Sequence, residues 1–242
     1  MKKVAIIGFG AFGKLVAVNL LGKFDIVMAD SKQKPEDAKK LGVRQVSIED
    51  AAKADFVVLC VPISQMQDAL KEIAPNVRPG TLVLDTCSVK VLPCRLMENM
   101  LPSDVEVIGT HPLFGPQSAG NGILGQQIVI CPVRSKQTEA VSAFLKELGL
   151  EVIRLSPEEH DRLMASTQAI THFVGRALAK ISPKDVPTKL KSHEKMMAAA
   201  AMVRHDSEQL FADIETLNPF AKQERRKLVQ ELERMEKQFE KG

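Results

Sequence analysis

The sequence has no excess of one charge sign, no paired cysteines and no long apolar run. Its 33 Lys and Arg stand against 30 Asp and Glu, a formal net charge of only +3, so no strong field draws in nucleic acid or an anionic membrane surface. The four cysteines, Cys60, Cys87, Cys94 and Cys131, fall singly and form no C-x-x-C pair. They read as buried or semi-buried thiols of a reducing compartment, and no metal is expected. No segment approaches about 18 uninterrupted apolar residues. The mostly apolar stretch that follows Met1-Lys2-Lys3 and runs to Leu21 is interrupted by Gly8, Gly10, Gly13 and Lys14, with no small-x-small cleavage site after it. It is therefore not read as a signal peptide. These absences leave a cytoplasmic protein with no nucleic-acid or membrane partner as the expectation.

What is present is 242 residues with 45% hydrophobic content, room for two domains with a sizeable core. The first, residues 1–155, alternates short apolar runs with helical patterns. Val4 to Ile7 is a strand that ends in Gly8-Phe9-Gly10-Ala11-Phe12-Gly13, and a helical pattern with Val16, Leu20 and Leu21 follows. Strand, glycine turn and helix in this order form the dinucleotide fingerprint. Gly8 allows the tight turn, Gly10 lets a pyrophosphate approach the backbone, Gly13 lets helix and strand pack, and the amides near Ala11 and Phe12 point at the phosphates. A second strand, Asp25 to Ala29, ends in Asp30. A carboxylate there accepts hydrogen bonds from ribose hydroxyls and repels a 2′-phosphate, which favours NAD. Ser31 and Lys32 directly after it are what a 2′-phosphate would want, so NADP stays open as the alternative cofactor.

The alternation continues with a weak strand near Arg44 to Val46, a short helix from Glu49 and a buried strand Asp55 to Val61. Val61-Pro62 lies at the carboxyl end of that strand, where ligands sit in open α/β sheets. A helix Ile63 to Ile73 follows. Strand Thr81 to Leu84 then runs into Asp85-Thr86-Cys87-Ser88-Val89-Lys90, which brings Ser88 to a strand end on the cofactor side or makes it the N-cap of a helix starting near Val89. Strand Val105 to Ile108 delivers Gly109-Thr110-His111-Pro112-Leu113-Phe114-Gly115-Pro116. A histidine between a strand end and a proline has little backbone freedom, which suits a general base. Gln117 to Gln126 reads as a loop over the site. Strand Gln127 to Val133, helix Ser135 to Leu148 and strand Glu151 to Leu155 complete eight strand candidates. The fold class is α/β: a doubly wound, Rossmann-type, mostly parallel sheet with an edge open to antiparallel pairing, followed by a small all-helical domain.

That second domain, residues 156–242, reads as helix throughout. Ser156 caps a segment running to about Ile181, on which Gln168 and His172 share a face with Thr171 and Gly175 beside them. His160, near the helix start, orients its neighbours. A Pro/Lys-rich connector from Ser182 to Leu190 leads to helices over Ser192–Leu217 and Phe220–Phe239. The Met/Ala-rich run Met196 to Met202 allows close helix approach, and Leu228, Leu232, Met235 and Phe239 form a packing seam on a charged helix. Such a thin layer is expected to be buried against a partner chain, as a homodimer.

Taken together these residues resemble the prephenate and arogenate dehydrogenases of tyrosine biosynthesis. The matching pieces are Gly8-x-Gly10-x-x-Gly13, Asp85-x-x-Ser88-Val89-Lys90, Gly109 to Pro116, and His160-Asp161 with Gln168 and Thr171-His172; the His-Pro motif looks like the plant-type form. The resemblance implies oxidative decarboxylation of a cyclohexadienol: hydride passes to a nicotinamide, a base takes the alcohol proton, and CO2 is lost. It implies His111 as the base, Ser88 bonded to His111 or to the same hydroxyl, and Gln168 with His172 facing the substrate's polar groups. Many bacterial members grip a substrate carboxylate with an arginine. Met202 aligns there, Arg204 follows two residues later, and Lys189 and Arg176 are further candidates. Asn121 stands where arogenate-preferring relatives carry an acid, and a neutral amide removes an attraction for the arogenate ammonium, which leans toward prephenate. The rival readings are arogenate as substrate, a β-hydroxy-acid dehydrogenase, which would need a helical-domain lysine not found in the first turns of the long helix, and a non-catalytic NAD-binding or sensing protein.

Overall fold

The computed structural model describes residues 1–182, 190–204 and 206–240. Two compact units divide after His160: Met1–His160 and Asp161–Gly242. The first is an eight-stranded sheet in the order β3-β2-β1-β4-β5-β6-β7-β8. The strands are β1 (Lys3–Ile7), β2 (Asp25–Ala29), β3 (Arg44–Gln45), β4 (Phe56–Leu59), β5 (Leu82–Asp85), β6 (Glu106–Pro112), β7 (Gln127–Arg134) and β8 (Glu151–Arg154). β1 to β6 run parallel, β7 pairs antiparallel with β6, and β8 lies parallel to β7. Buried on both faces, β1 carries Val4, Ala5, Ile6 and Ile7 at no more than 2% exposure, as parallel strands demand.

The helices of this unit are α1 (Ala11–Leu20), α2 (Pro35–Lys40), α3 (Ile48–Ala52), α4 (Met66–Ile73, preceded by a 3-10 turn at Ile63–Gln65), α5 (Val91–Met100) and α6 (Thr138–Glu147). α1 and α6 flank one sheet face, where Phe24 meets Phe144 edge-on with ring centroids 5.3 Å apart. Between them a cavity of about 380 Å³ is lined almost wholly by apolar groups, Phe12, Leu84 and Leu145 among them. Side chains alternate along a strand, so Thr110 and Pro112 of β6 line this cavity and His111 does not.

The strand carrying the histidine is longer than its apolar run. β6 continues through Pro112 because β7 pairs with it as far as Pro112↔Ile128, and Leu113 N–H donates to Gln127 O at 2.9 Å. His111 therefore sits inside the last residues of a strand rather than beyond its end.

The second unit is helical: the remainder of α7 (Pro157–Met164, which begins in the first unit), a π-turn over Ala165–Ala169, α8 (Ile170–Ile181), α9 (Lys191–Arg204), α10 (Glu208–Leu217) and α11 (Ala221–Phe239). The uninterrupted helix expected to Ile181 is widened at 165–169, where the Ser166 and Thr167 hydroxyls donate to Leu163 O at 3.1 and 2.7 Å and draw that carbonyl from the ladder. The helix expected over Ser192–Leu217 is two. Ser207 caps α10, its Oγ accepting Leu210 N–H at 3.0 Å, and Arg176 holds the Asp206 carbonyl at 2.6 Å. A Cβ on Gly175 would lie 2.6 Å from Val203 Cγ2 and 3.3 Å from Ala200 Cα, so α8 and α9 approach at small residues. The interior of the Ser182–Leu190 connector, with Lys189, lies outside the described residues. On α11 the expected seam is open: Leu232, Met235 and Phe239 are exposed. No helix among the described residues is long and apolar enough to cross a membrane.

Candidate active site

The glycine turn is built by contacts that exclude side chains. Gly8 has φ +92°, and a Cβ there would lie 2.5 Å from Cys60 O and 3.0 Å from Val61 Cγ1, at the carboxyl end of β4. A Cβ on Gly13 would overlap the Gly8 carbonyl oxygen. Gly10 has nothing within 4 Å of its bare face and opens α1 with no side-chain cap. That face admits a phosphate, and the first-turn amides of Ala11 and Phe12 need acceptors from outside the helix. Gly8 N–H donates to Ala29 O at 2.8 Å and Cys60 N–H to Ile7 O at 2.7 Å, so the ends of β1, β2 and β4 form one edge bordered by Val61 and Pro62. The residues present therefore fit a dinucleotide cofactor.

Asp30 follows β2 as expected, but its carboxylate is engaged. Oδ2 accepts Phe9 N–H at 2.7 Å and Lys34 Nζ at 2.8 Å, and Oδ1 accepts Lys32 N–H at 2.9 Å. Burial alone would raise its pKa; these donors outweigh burial and hold it below the usual carboxylate value. Ser31 is exposed beside it.

At the same edge, β5 and β6 end in a fully buried ion pair. Lys90 Nζ pairs with Asp85 and donates to Thr110 O at 2.6 Å. Asp85 also accepts Thr110 N–H at 3.1 Å and Cys87 N–H at 3.0 Å, and the Thr110 hydroxyl donates to the Asp85 carbonyl. Gly109 is glycine because a Cβ there would stand 2.5 Å from Cys94 Sγ and 3.4 Å from Lys90 Cδ. The peptides on either side of Thr110 are thus held by the pair, and the next residue is His111.

His111 is 3% exposed, and its Nδ1 lies 2.8 Å from Nε2 of the buried His160. One ring must donate. If His111 is to accept a proton on Nε2, its Nδ1 carries the hydrogen and His160 receives it, an assignment made from hydrogen-bond logic. Burial, then the neighbouring His160 and Lys90, push the His111 pKa well below the ordinary histidine value. The ring is neutral near pH 7, the state a base needs. His160 is thus the orienting partner, a role suspected from its helix position but not tied to His111 by the sequence. Ser88 does neither of its expected structural jobs. His111 Nδ1 is taken by His160, and the N-cap position of α5 is Lys90 without a side-chain cap. Ser88 stays half-buried at the strand end. Asp85 and Lys90 were missed as a pair, although a lysine five residues after a strand-end aspartate was a readable signal. Cys60 is no nucleophile, since burial pushes its thiol up to about 12.

The expected loop after the motif is anchored rather than free. Ala119 and Ile123 are buried with Leu15, Phe114 and Leu150, and Phe114 faces Phe12 of the glycine turn at 6.4 Å. Asn121 is exposed at its tip.

In the second unit, Gln168 lies in the π-turn and His172 on α8. Gln168 Oε1 and His172 Nδ1 are buried without a partner among the described residues. His172 Nε2 is 3.6 Å from Asp206 Oδ2. Burial lowers its pKa, Asp206 opposes this, and Arg176 adds to it. Arg176 is not a spare anchor: it pairs with Glu208 and donates to the Asp206 and Ser207 carbonyls. Met202 is exposed.

The family described as "Prephenate dehydrogenase, nucleotide-binding domain" matches residues 21–154. The "Probable arogenate/prephenate dehydrogenase" of Methanocaldococcus jannaschii is 34% identical over 233 residues, covering 89% of this chain and 52% of the relative. "Arogenate dehydrogenase 1, chloroplastic" of Arabidopsis thaliana is 31% identical over 251 residues, 98% of this chain and 38% of the relative. The chain thus spans about half or less of these two curated relatives. The structure of prephenate dehydrogenase from Aquifex aeolicus with hydroxyphenyl propionate and NAD+ superposes with TM-score 0.80 at 22% identity, covering 100% of this chain and 91% of that one. Synechocystis arogenate dehydrogenase gives TM-score 0.73 at 20% identity, with 99% and 92% covered. These structures share the fold.

Proposed function

Because this chain belongs to the prephenate dehydrogenase family, we propose that it catalyses the NAD(P)-dependent oxidative decarboxylation of prephenate to 4-hydroxyphenylpyruvate. The observation that carries the reading is the buried His111, held on its Nδ1 by His160 and delivered by β6 to the sheet edge where the glycine turn also lies. Nε2 is left to accept the ring hydroxyl's proton. Bound at the glycine turn, a nicotinamide dinucleotide supplies the hydride acceptor.

The chain's own residues do the rest. Gly10, Ala11 and Phe12 present backbone amides to the pyrophosphate, and Gly8 and Gly13 keep that surface free of side chains. Val61 and Pro62 border the same edge. The Asp85–Lys90 pair fixes the peptides before His111, and His160 fixes its ring. As the hydroxyl proton moves to Nε2, His160 keeps the hydrogen bond at Nδ1 and holds the ring in place. Ser88 is assigned to the substrate hydroxyl, since it does not bond His111. Gln168 and His172, whose buried Oε1 and Nδ1 have no partner among the described residues, are assigned to the substrate's polar groups, and Asn121 to selection between side chains. The neutral Asn121 offers the arogenate ammonium no counter-charge and supports prephenate. Arogenate is the second reading, favoured by the plant relative. The exposed Leu232, Met235 and Phe239 of α11 support a homodimer through the helical unit, and four free cysteines support a cytoplasmic location. The near balance of charge supports a small-molecule partner rather than nucleic acid or membrane.

The test is a two-by-two grid of NAD and NADP against prephenate and arogenate, read by absorbance of the reduced nicotinamide. Turnover of prephenate above arogenate supports the assignment. Turnover of arogenate alone transfers it to the second reading, and no turnover in any cell rejects both.

A further inference from the structure

The acid that ends β2 is the feature from which an NAD preference is read, because a free carboxylate repels a 2′-phosphate. In this chain that carboxylate is not free. Lys34, four residues on, places its Nζ 2.8 Å from Asp30 Oδ2 and 3.0 Å from the carbonyl of Phe9, in the glycine turn itself. The lysine backbone is fixed as well: its N–H donates to Gln45 Oε1 at 2.9 Å, and Gln45 Nε2 donates to Lys32 O at 3.3 Å. Segment 31–34 is therefore pinned to β3 while the ammonium is pinned to the phosphate-binding turn. The Lys34 side chain keeps 23% exposure and Asp30 10%, so the cation is within reach of a ligand and the anion is largely covered.

The local charges decide the sign. Asp30 contributes one negative charge, and Lys34 cancels it at contact distance. Lys32 adds a second positive charge beside it and Ser31 an exposed hydroxyl. On α2, Glu36 is exposed, and the half-buried Asp37 is paired with Lys14 at 2.7 Å. A 2′-phosphate entering beside Asp30 thus meets an excess of cation and donors rather than a bare carboxylate, and an ammonium serves phosphate as a compact point charge.

We propose that Lys34 is a cofactor-specificity residue: by neutralising Asp30 it opens the adenosine-ribose site to a 2′-phosphate, so that this chain accepts NADP as well as NAD. This deepens the nicotinamide-dinucleotide reading above and rests on it. Only the ribose end of the ligand distinguishes the two cofactors, so Lys34 acts on binding and not on the hydride step.

The experiment is direct binding. The chain has no tryptophan, so the fluorescence of the ligands is read without interference, and NADPH and NADH are titrated into the wild type, Lys34→Met and Lys34→Arg, with calorimetry as a second readout. The wild type is expected to bind NADPH within about tenfold of NADH. Lys34→Met is expected to weaken NADPH by at least roughly tenfold and to leave NADH within about threefold, because it exposes the Asp30 charge. Lys34→Arg is expected to restore NADPH. A wild type that binds NADH but refuses NADPH overturns the proposal and leaves the dinucleotide reading intact. So does a Lys34→Met protein in which both ligands weaken equally, since that marks a structural lysine. Failure of the wild type to bind either nucleotide overturns both readings.

Discussion

Removing the Lys90 ammonium puts the architecture beneath His111 to a quantitative test. Lys90→Met keeps the length and apolar stem of the side chain but leaves Asp85 buried with its N–H donors from Cys87 and Thr110 and without a cation. Breaking a buried pair from one side costs about 3–5 kcal/mol. At about 2–4 °C per kcal/mol for a protein of this size, the apparent Tm of Lys90→Met should fall by roughly 6–20 °C. Asp85→Asn/Lys90→Met removes the orphaned charge as well and should regain a large part of that loss. The pH dependence has a definite sign. Burial pulls the Lys90 pKa down, but Asp85, with the thiols of Cys87 and Cys94, outweighs burial and leaves it raised. A raised lysine pKa stabilises the native state fully below its unfolded value near 10.4, and that contribution fades only as pH climbs through the folded value. The gap in Tm between wild type and Lys90→Met should therefore be constant through neutral pH and close only in strong alkali. Thermal melts followed by circular dichroism decide it. A single variant melting within about 1 °C of wild type would mean the pair contributes nothing net, and the reasoning fails.

Two further outcomes follow from the same edge of the sheet. Gly13→Ala places a methyl onto the Gly8 carbonyl, so nucleotide binding should weaken at least about tenfold and stability drop by about 1–3 kcal/mol, the usual cost of overpacking; titration with NADH checks the first and urea melts the second. The acidic limb of kcat/KM should lie below about pH 6.5, because burial and then His160 and Lys90 depress the His111 pKa. By the same linkage this histidine stabilises the fold fully above about pH 6.5 and its contribution is lost as pH falls toward the depressed value; a limb at or above pH 7 contradicts the environment assigned to the ring.

The elements with strong local signals were readable in the chain. Eight strand candidates became eight strands, and the glycine turn lies where its spacing put it; the clearest was β1, because a parallel strand buried on both faces has no polar alternation to disguise it. Boundaries that depend on distant partners were less readable. β6 reaches Pro112 only because β7 pairs back on it, and the helix expected over Ser192–Leu217 breaks at Ser207 because Arg176, some thirty positions away, holds the adjoining carbonyls. The π-turn at Ala165–Ala169 has its cause in Ser166 and Thr167, whose hydroxyls bond back to Leu163 O, a choice that apolar periodicity does not reveal. In the site, His111 was legible from its rigid surroundings. Its partner His160 lies far along the chain, and only the fold brings the two rings into hydrogen-bond contact. Asp30 was legible as an acid after β2, but its neutralisation by Lys34 depends on how segment 31–34 turns back onto the glycine loop, which no residue pattern announces.

The central claim is that the His111 imidazole is the base of the reaction and not part of the nucleotide cradle. The direct measurement is His111→Ala, with kcat for prephenate oxidation and the dissociation constant for NADH taken on the same preparation. The account predicts a fall in kcat of at least about 100-fold with NADH affinity nearly unchanged. An unchanged kcat, or a loss of rate that follows only from lost nucleotide binding, would contradict it.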